Sequence, residues 1–191
     1  MEKLFFGILI AILLLAIPYF YKIYSLIKIT EEDLPDSGSW VNLSRGNIYF
    51  QWHTPEVSEP LKGTIVLVHG FSTPSFVWGG LLDNFLNAGY KVLVYDHYGR
   101  GYSERPNIQY DKELYLETLR ELIVSQDIQE SVHLVGYSMG GPIVGLYADQ
   151  YPESTKSTTL IAPAGFSTSI PNMKSWTTMP IIGDWFWRVF S

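Results

Sequence analysis

The chain has no cysteine, and this absence excludes disulfides, thiolate metal sites and cysteine nucleophiles. It also has no basic cluster, since 13 lysine and arginine residues stand against 19 aspartate and glutamate residues and give a formal charge of -6. A nucleic-acid partner requires a basic face for its phosphates, so the charge argues against one. No two of the four histidines have the spacing of metal ligands, and we expect neither a metal nor another cofactor.

What is present suits a compact protein. The 191 residues are 47% apolar and 15% aromatic, which is enough to build a sizeable core in one domain. A chain with this much apolar surface to bury is expected to fold rather than to remain disordered. We find no internal repeat and no low-complexity tract, so we expect one globular domain with an additional segment at each end.

The first of these segments is strongly apolar. Residues Leu4 to Tyr21 include no charged side chain, and a helix of this length, at about 1.5 Å per residue, would cross most of a hydrocarbon core. Its aromatic end, Pro18 to Tyr21, suits a membrane interface and has no small-residue cleavage pattern. We therefore predict a single-pass membrane anchor over residues 1–24 that contacts membrane lipid, with its orientation left open. A cleaved signal peptide and a buried core helix are the alternatives.

Composition divides the rest of the chain into three parts. An acidic linker covers residues 25–39, a predicted α/β core covers residues 40–165, and an aromatic-rich segment covers residues 166–191. We expect this last segment to be the start of a lid, with packing of its side chains on the sheet as the alternative. The core begins with a predicted antiparallel hairpin, after which short apolar runs alternate with helical stretches, as in a mostly parallel sheet. The runs are Ile65 to Val68, Val92 to Tyr95, Val132 to Val135 and Thr158 to Ile161, and the helices are Trp78 to Ala88, Asp111 to Ser125 and Pro142 to Gln150.

A five-residue motif, Gly136-Tyr137-Ser138-Met139-Gly140, follows the third apolar run directly. The pattern is typical of a nucleophile elbow, a sharp turn between a strand and a helix that needs small residues on both sides of the serine. The pentapeptide alone is common by chance, so its weight comes from the strand before it and from the helix that Pro142 opens behind it. We predict that Ser138 is a catalytic nucleophile.

A second loop is expected beside this serine. His69-Gly70-Phe71 ends the first apolar run, and the strands of a parallel sheet deliver their loops to one edge. The backbone N–H groups of Phe71 and Met139 are therefore predicted to form an oxyanion hole. An ordinary strand-ending turn is the alternative interpretation of His69-Gly70.

A third loop, from Asp96 to Ser103, follows the second apolar run. We expect Asp96 to accept hydrogen bonds from backbone N–H groups near it rather than to act as a catalytic acid. His97, in the same loop, is the histidine that its strand-end position makes a candidate to line the site. The other three histidines are expected elsewhere, with His133 in the core.

Together these motifs resemble the α/β-hydrolase superfamily, in the lid-bearing group that includes lipases, esterases and hydrolases of meta-cleavage products. The resemblance covers nearly all of residues 40–165. It implies an α/β-hydrolase sheet, mostly parallel with an N-terminal antiparallel hairpin and C-terminally incomplete, and an acyl-enzyme on Ser138. Epoxide hydrolases and haloalkane dehalogenases place an aspartate at the elbow, so the serine argues against them. The segments that carry the resemblance are His69 to Phe71, Asp96 to Ser103, Gly136 to Gly141 and Leu160 to Gly165.

The chain departs from the family pattern in one respect. Members carry the triad acid and then the histidine after the serine, whereas no histidine follows Ser138 here. A serine hydroxyl needs a base, so we expect the chain alone to be close to inert and interpret it as the N-terminal portion of a longer hydrolase. The resemblance implies hydrolysis of small lipophilic carboxylic esters. Carbon–carbon bond hydrolysis of a dienoate-like ketone and a non-catalytic binding role are the alternatives.

Overall fold

The computed structural model describes residues 2–24, 29–56, 60–165, 183 and 185. The chain divides into two compact units, of which the larger is Ile29–Phe166 and the smaller contains the N-terminal helix. Apart from residues 183 and 185, the predicted lid over residues 166–191 lies outside the described residues, so the lid stays a prediction.

The N-terminal helix, α1, spans Glu2–Tyr24 and contains Pro18. The predicted single-pass anchor over residues 1–24 is wrong, because none of the described helices combines the length and the apolar character that a membrane crossing requires. The predicted membrane localisation is corrected with it, whereas the predicted contact with membrane lipid stays a prediction.

The larger unit alternates strands with helices, as the sequence predicts. Its first two strands form a hairpin around a turn at Ser44 and Arg45. The hairpin begins at Gly38, two residues before the predicted start of the core. The strands are β1 Gly38–Leu43, β2 Gly46–His53, β3 Thr64–Val68, β4 Lys91–Tyr95, β5 Val132–Tyr137 and β6 Thr155–Ile161, and the helices are α2 Gly79–Asn87, α3 Lys112–Ser125 and α4 Gly140–Gln150.

The six strands form one sheet in the order β1-β2-β4-β3-β5-β6. The β1–β2 and β2–β4 pairs are antiparallel, whereas β3 pairs in parallel with both β4 and β5, and β5 pairs in parallel with β6. The predicted mixture of a parallel sheet and an N-terminal hairpin is therefore confirmed. Since β3, β4 and β5 run in the same direction, the loops that leave their carboxyl ends emerge at one edge of the sheet.

Both faces of the central strands are buried. Along β3, Val66 and Val68 point into one hydrophobic cluster together with residues of α3 and α4, while Ile65 and Leu67 point into another that contains Trp78. This alternation follows from the two-residue period of a strand. It explains why the strand is a continuous apolar run in the sequence and why it is held rigidly beneath the loop that follows it.

The helix ends follow local sequence signals. The Asp111 carboxylate accepts a hydrogen bond of 2.9 Å from the Leu114 N–H and so caps the start of α3. Gly89 follows α2 with a φ of +88°, a conformation that glycine adopts without steric cost. Helix α4 begins at Gly140, two residues before the predicted start, and Pro142 lies in its first turn as predicted.

The last strand differs from the expectation for a strand covered on both faces. Residues Lys156 to Leu160 of β6 are all exposed. Among the described strands β6 lies at the end of the sheet, where it pairs only with β5, so its side chains lack a neighbour on the far side. A run of threonines and a serine tolerates this exposure because hydroxyl groups hydrogen-bond with water.

Candidate active site

The predicted nucleophile lies in a tight turn between β5 and α4. Ser138 has a φ of +50°, in the left-handed region that side chains with a Cβ rarely occupy. A serine in this conformation costs about 1–2 kcal/mol unless its surroundings impose it. The turn reverses the chain between strand and helix, so the serine side chain is presented where β5 ends.

Main-chain hydrogen bonds hold Ser138 in this conformation. Its N–H donates to the Ile161 carbonyl at 3.0 Å, and its carbonyl accepts from the N–H groups of Gly141 at 3.0 Å and Ala164 at 2.9 Å. Two of these three partners belong to the end of β6 and the loop behind it. The elbow is therefore held by the loop after the neighbouring strand as well as by its own helix.

Glycines allow the strand, the helix and the neighbouring loop to approach each other closely. A Cβ on Gly136 would meet the main chain of Gly140, and a Cβ on Gly140 would meet the carbonyl oxygens of Val68 and His69. These neighbours are backbone atoms, which cannot rotate away as a side-chain end can. The motif thus needs glycine at both positions because three main-chain segments converge there.

The loop after β3 lies against the serine, as the sequence predicts. A Cβ built on Gly70 would lie 3.1 Å from the Cβ of Ser138, so the backbone of Gly70 borders the nucleophile directly. Ser138 is accordingly not part of a regular helix and is not remote from residues 69–71.

Neither of the two predicted oxyanion donors makes a hydrogen bond to another described residue. No described acceptor receives a hydrogen bond from the N–H of Phe71 or from that of Met139, which precedes the first residue of α4. Phe71 is 52% exposed, and Met139 is half-buried. The role of these two N–H groups as an oxyanion hole stays a prediction.

Asp96 organises the third loop, as predicted. Its side chain is buried and accepts hydrogen bonds from the N–H groups of Ser75 at 2.7 Å and Tyr102 at 2.9 Å. Its carbonyl accepts from the Ser103 hydroxyl at 2.6 Å. With both carboxylate oxygens engaged by backbone donors, Asp96 fixes the turn rather than facing Ser138.

His97 does not line the site, which corrects the sequence-based candidate. Its ring is fully buried, its backbone N–H donates to His69 Nε2 at 2.9 Å, and its own Nε2 lies 3.1 Å from the His69 carbonyl oxygen. Because His69 Nε2 accepts a hydrogen bond, the proton of that ring must be on Nδ1, which donates to the Gly70 carbonyl at 2.7 Å. The two histidines therefore join the ends of β3 and β4 as neutral rings and offer no base to the serine.

The stability of the protein should depend on pH through this pair. Burial holds the pKa of His97 well below its ordinary value of 6.5, and burial also lowers the pKa of His69. The unfolded chain binds protons below about pH 6.5 while the buried His97 ring does not, so stability is retained above that pH and falls below it, by up to about 1.4 kcal/mol per pH unit for His97, and His69 contributes in the same direction. We expect His97→Gln to flatten this slope in urea unfolding between pH 6.5 and 5.

The matched control for this prediction is His133→Gln. The His133 ring is only partly buried and bonds the exposed Ser157 hydroxyl at 2.7 Å, so its removal should change the slope less. An unchanged slope in His97→Gln, or an equal change in both variants, would refute the role assigned to the buried pair.

Two cavities in the described part of the chain lie away from the elbow. One, of about 470 Å³, is lined by residues that begin β3 and β4, among them Thr64 and Lys91, and so lies at the opposite edge of the sheet. The other, of about 450 Å³, lies beside α2 and the buried Asp96. Ser138 lines neither cavity, so we assign neither of them to its chemistry.

Sequence reasoning missed two contributors to this site. The loop from Ala162 to Gly165 holds the elbow through the Ala164 N–H. The Arg100 side chain contacts both the main-chain carbonyl and the aromatic ring of Phe71. Both contributors lie inside segments that carry the family resemblance, so the sequence alone could indicate that they lie near the site. Their contacts depend on which loops meet in space, and this could not be deduced from spacing.

Comparison with known proteins shows the family to which this chain belongs. The family model described as alpha/beta hydrolase fold matches residues 63–187. Lipase 1 of Psychrobacter immobilis is 34% identical over 122 residues, which cover 60% of this chain and 36% of that protein. The chain spans about a third of the length of the curated relatives that it matches.

Solved structures show the same fold. A bromoperoxidase from Bacillus anthracis is 26% identical with a TM-score of 0.59, over 66% of this chain and 45% of that one. An esterase from Exiguobacterium antarcticum has a TM-score of 0.60 at 23% identity, over 67% of this chain and 46% of that one, a likeness that concerns the fold alone. Because the family model covers more than half of the sequence and the elbow, the sheet order and these structures agree with it, the chain belongs to the α/β-hydrolase fold family.

Proposed function

We propose that the protein is a serine hydrolase of carboxylic esters, with Ser138 as the nucleophile and the N–H groups of Phe71 and Met139 as the oxyanion hole. The observation that carries the proposal is the φ of +50° at Ser138, held by main-chain bonds beside two unpaired amides. Backbone conformations of this cost cluster at functional sites, where a side chain is held in place for its chemistry. The names of the relatives, a lipase and an esterase among them, support an ester substrate.

The reaction has four balanced steps. The Ser138 oxygen attacks the ester carbonyl carbon while its proton passes to a base, and the carbonyl oxygen becomes an oxyanion between the two amides. Collapse of this intermediate breaks the bond to the alcohol, which leaves with the proton from the base. Water then attacks the acyl-enzyme with help from the same base. The carboxylic acid leaves and Ser138 regains its proton.

The base is the part of this proposal that the described residues do not supply. The four histidines all precede Ser138, and the two nearest its loops, His69 and His97, are locked to each other. No described side chain is hydrogen-bonded to the Ser138 hydroxyl. The family resemblance expects an acid and then a histidine after the serine, so activity is to be tested in the protein expressed from the complete open reading frame.

A substrate panel tests the reaction class. The protein from the complete reading frame should hydrolyse p-nitrophenyl esters and prefer butyrate or longer acyl chains over acetate, as the lipase relative suggests. A dienoate-like ketone should not be cleaved. Cleavage of the ketone without ester hydrolysis would point instead to a carbon–carbon hydrolase, and a folded protein that acts on neither would be a non-catalytic binding protein.

A further inference from the structure

The loop that carries the Phe71 amide has little support of its own. Phe71 is 52% exposed and its ring lies outside both hydrophobic clusters, while Ser72 is also exposed. Among the described residues no backbone–backbone hydrogen bond outside regular elements involves residues 71 to 73. An oxyanion donor must nevertheless be preorganised, since misplacement of the donor costs rate even when the chemistry is intact.

One side chain from another loop provides that support. The Arg100 Nε donates to the Phe71 carbonyl at 2.5 Å, and the Arg100 guanidinium stacks on the Phe71 ring at 4.4 Å from its centroid. A single planar group thus holds the main chain and the side chain of the same residue. Lysine cannot reproduce both contacts, because its ammonium is a point donor without a stacking face.

Arg100 is itself well anchored. Its Nη1 donates to the Gly99 carbonyl at 2.9 Å, and its backbone N–H donates to the His97 carbonyl at 3.0 Å. The loop around it is fixed by Asp96, which binds the N–H of Tyr102. The guanidinium therefore holds the loop after β3 against the more firmly held loop after β4. The two residues that it joins are 29 positions apart in the sequence.

We propose that Arg100 is a positioning residue that holds Phe71, and with it the oxyanion amide, in place. This inference rests on the proposed function for its catalytic consequence, but the contact itself is independent of activity. Arg100 is separated from the reacting atoms by Phe71 and acts only through it. We therefore expect loss of the Arg100 contact to lower the rate constant kcat and to leave substrate binding and the substrate class unchanged.

The matched control is Arg105, in the same loop and of the same charge. Its guanidinium also donates to two main-chain carbonyls, of Ser103 and Gly101, both at 3.1 Å, but it does not contact Phe71. Arg105→Gln removes the same charge from the same loop, so a general loss of loop structure or of positive charge would appear equally in both variants.

The first measurement is the backbone order parameter of Phe71, from 15N NMR relaxation of the protein from the complete reading frame. We expect Arg100→Gln to lower it from about 0.85, the value of rigid backbone, to below about 0.6. Arg100→Lys should resemble Arg100→Gln, and Arg105→Gln should resemble the wild type. An unchanged order parameter in Arg100→Gln, or the same decrease in Arg105→Gln, would overturn the proposal whether or not the protein is active.

The second measurement is ester hydrolysis by the same variants. Arg100→Gln should lower kcat by about 10- to 100-fold, less than the 100- to 1000-fold that loss of a whole oxyanion donor causes, with KM within about twofold. A raised KM at unchanged kcat would overturn the positioning role. If the Phe71 order parameter falls in Arg100→Gln but the wild type hydrolyses no ester, the contact stands and the ester-hydrolase proposal fails.

Discussion

Ester hydrolysis by the protein from the complete reading frame is expected to fall by about a millionfold in kcat when Ser138 is replaced with alanine. The serine oxygen forms the acyl-enzyme, so its removal takes away the nucleophile. Alanine keeps the Cβ and the backbone conformation, so the free energy of unfolding should change by less than about 1 kcal/mol. The measurement is the rate of p-nitrophenyl butyrate hydrolysis with a parallel urea unfolding curve.

A control and a strain test accompany this variant. Ser39→Ala removes an exposed hydroxyl from β1 and should leave kcat unchanged. Ser138→Gly should be more stable than Ser138→Ala by about 1 kcal/mol, because glycine adopts a φ of +50° without the Cβ penalty. Activity that survives in Ser138→Ala would reject Ser138 as the nucleophile, and an alanine variant more stable than the glycine variant would reject the strained turn.

The second large effect concerns the stability of the protein. Gly140→Ala should lower the free energy of unfolding by about 3 kcal/mol, the upper range for overpacking, because its Cβ would collide with the carbonyl oxygens of Val68 and His69. Any relief requires α4 to move away from β3, which would displace the Met139 amide. Hydrolysis should therefore fall along with stability.

The same helix offers a matched control for this substitution. Gly145 is exposed and lies in the middle of α4, and a Cβ added to it would meet no atom within 4 Å, so Gly145→Ala should stabilise the protein by about 0.5–1 kcal/mol. Urea denaturation of both variants at neutral pH measures the difference. If Gly140→Ala were as stable as Gly145→Ala, the close contact between helix, strand and loop would not exist.

Local patterns in the sequence predicted most of the fold. Continuous apolar runs identified β3, β4 and β5 because both of their faces are buried, and Gly89 and Pro142 marked helix ends for conformational reasons that act within a few residues. The same reasoning did not predict the position of β6 at the end of the described sheet. The sequence predicts that Thr158 to Ile161 is covered on both faces, yet among the described strands β6 pairs only with β5, and its burial depends on which elements cover it rather than on its own sequence.

The errors at the site and at the N-terminus have different physical causes. The strand-end position makes His97 a candidate to line the site, but its ring turns inward to bond His69, a contact between residues 28 apart in the sequence that spacing cannot reveal. The Arg100–Phe71 contact was missed for the same reason. The anchor prediction relied on the uncharged run from Leu4 to Tyr21, but none of the described helices is long and apolar enough to cross a membrane.

The most direct test of the central claim is labelling by a fluorophosphonate probe, with the modified residue identified by peptide mapping. The protein from the complete reading frame should be labelled on Ser138 alone, Ser39→Ala should be labelled as the wild type is, and Ser138→Ala should not be labelled. A folded protein that resists the probe, or one that carries it on a different serine, would contradict the assignment of the β5–α4 turn as the catalytic centre.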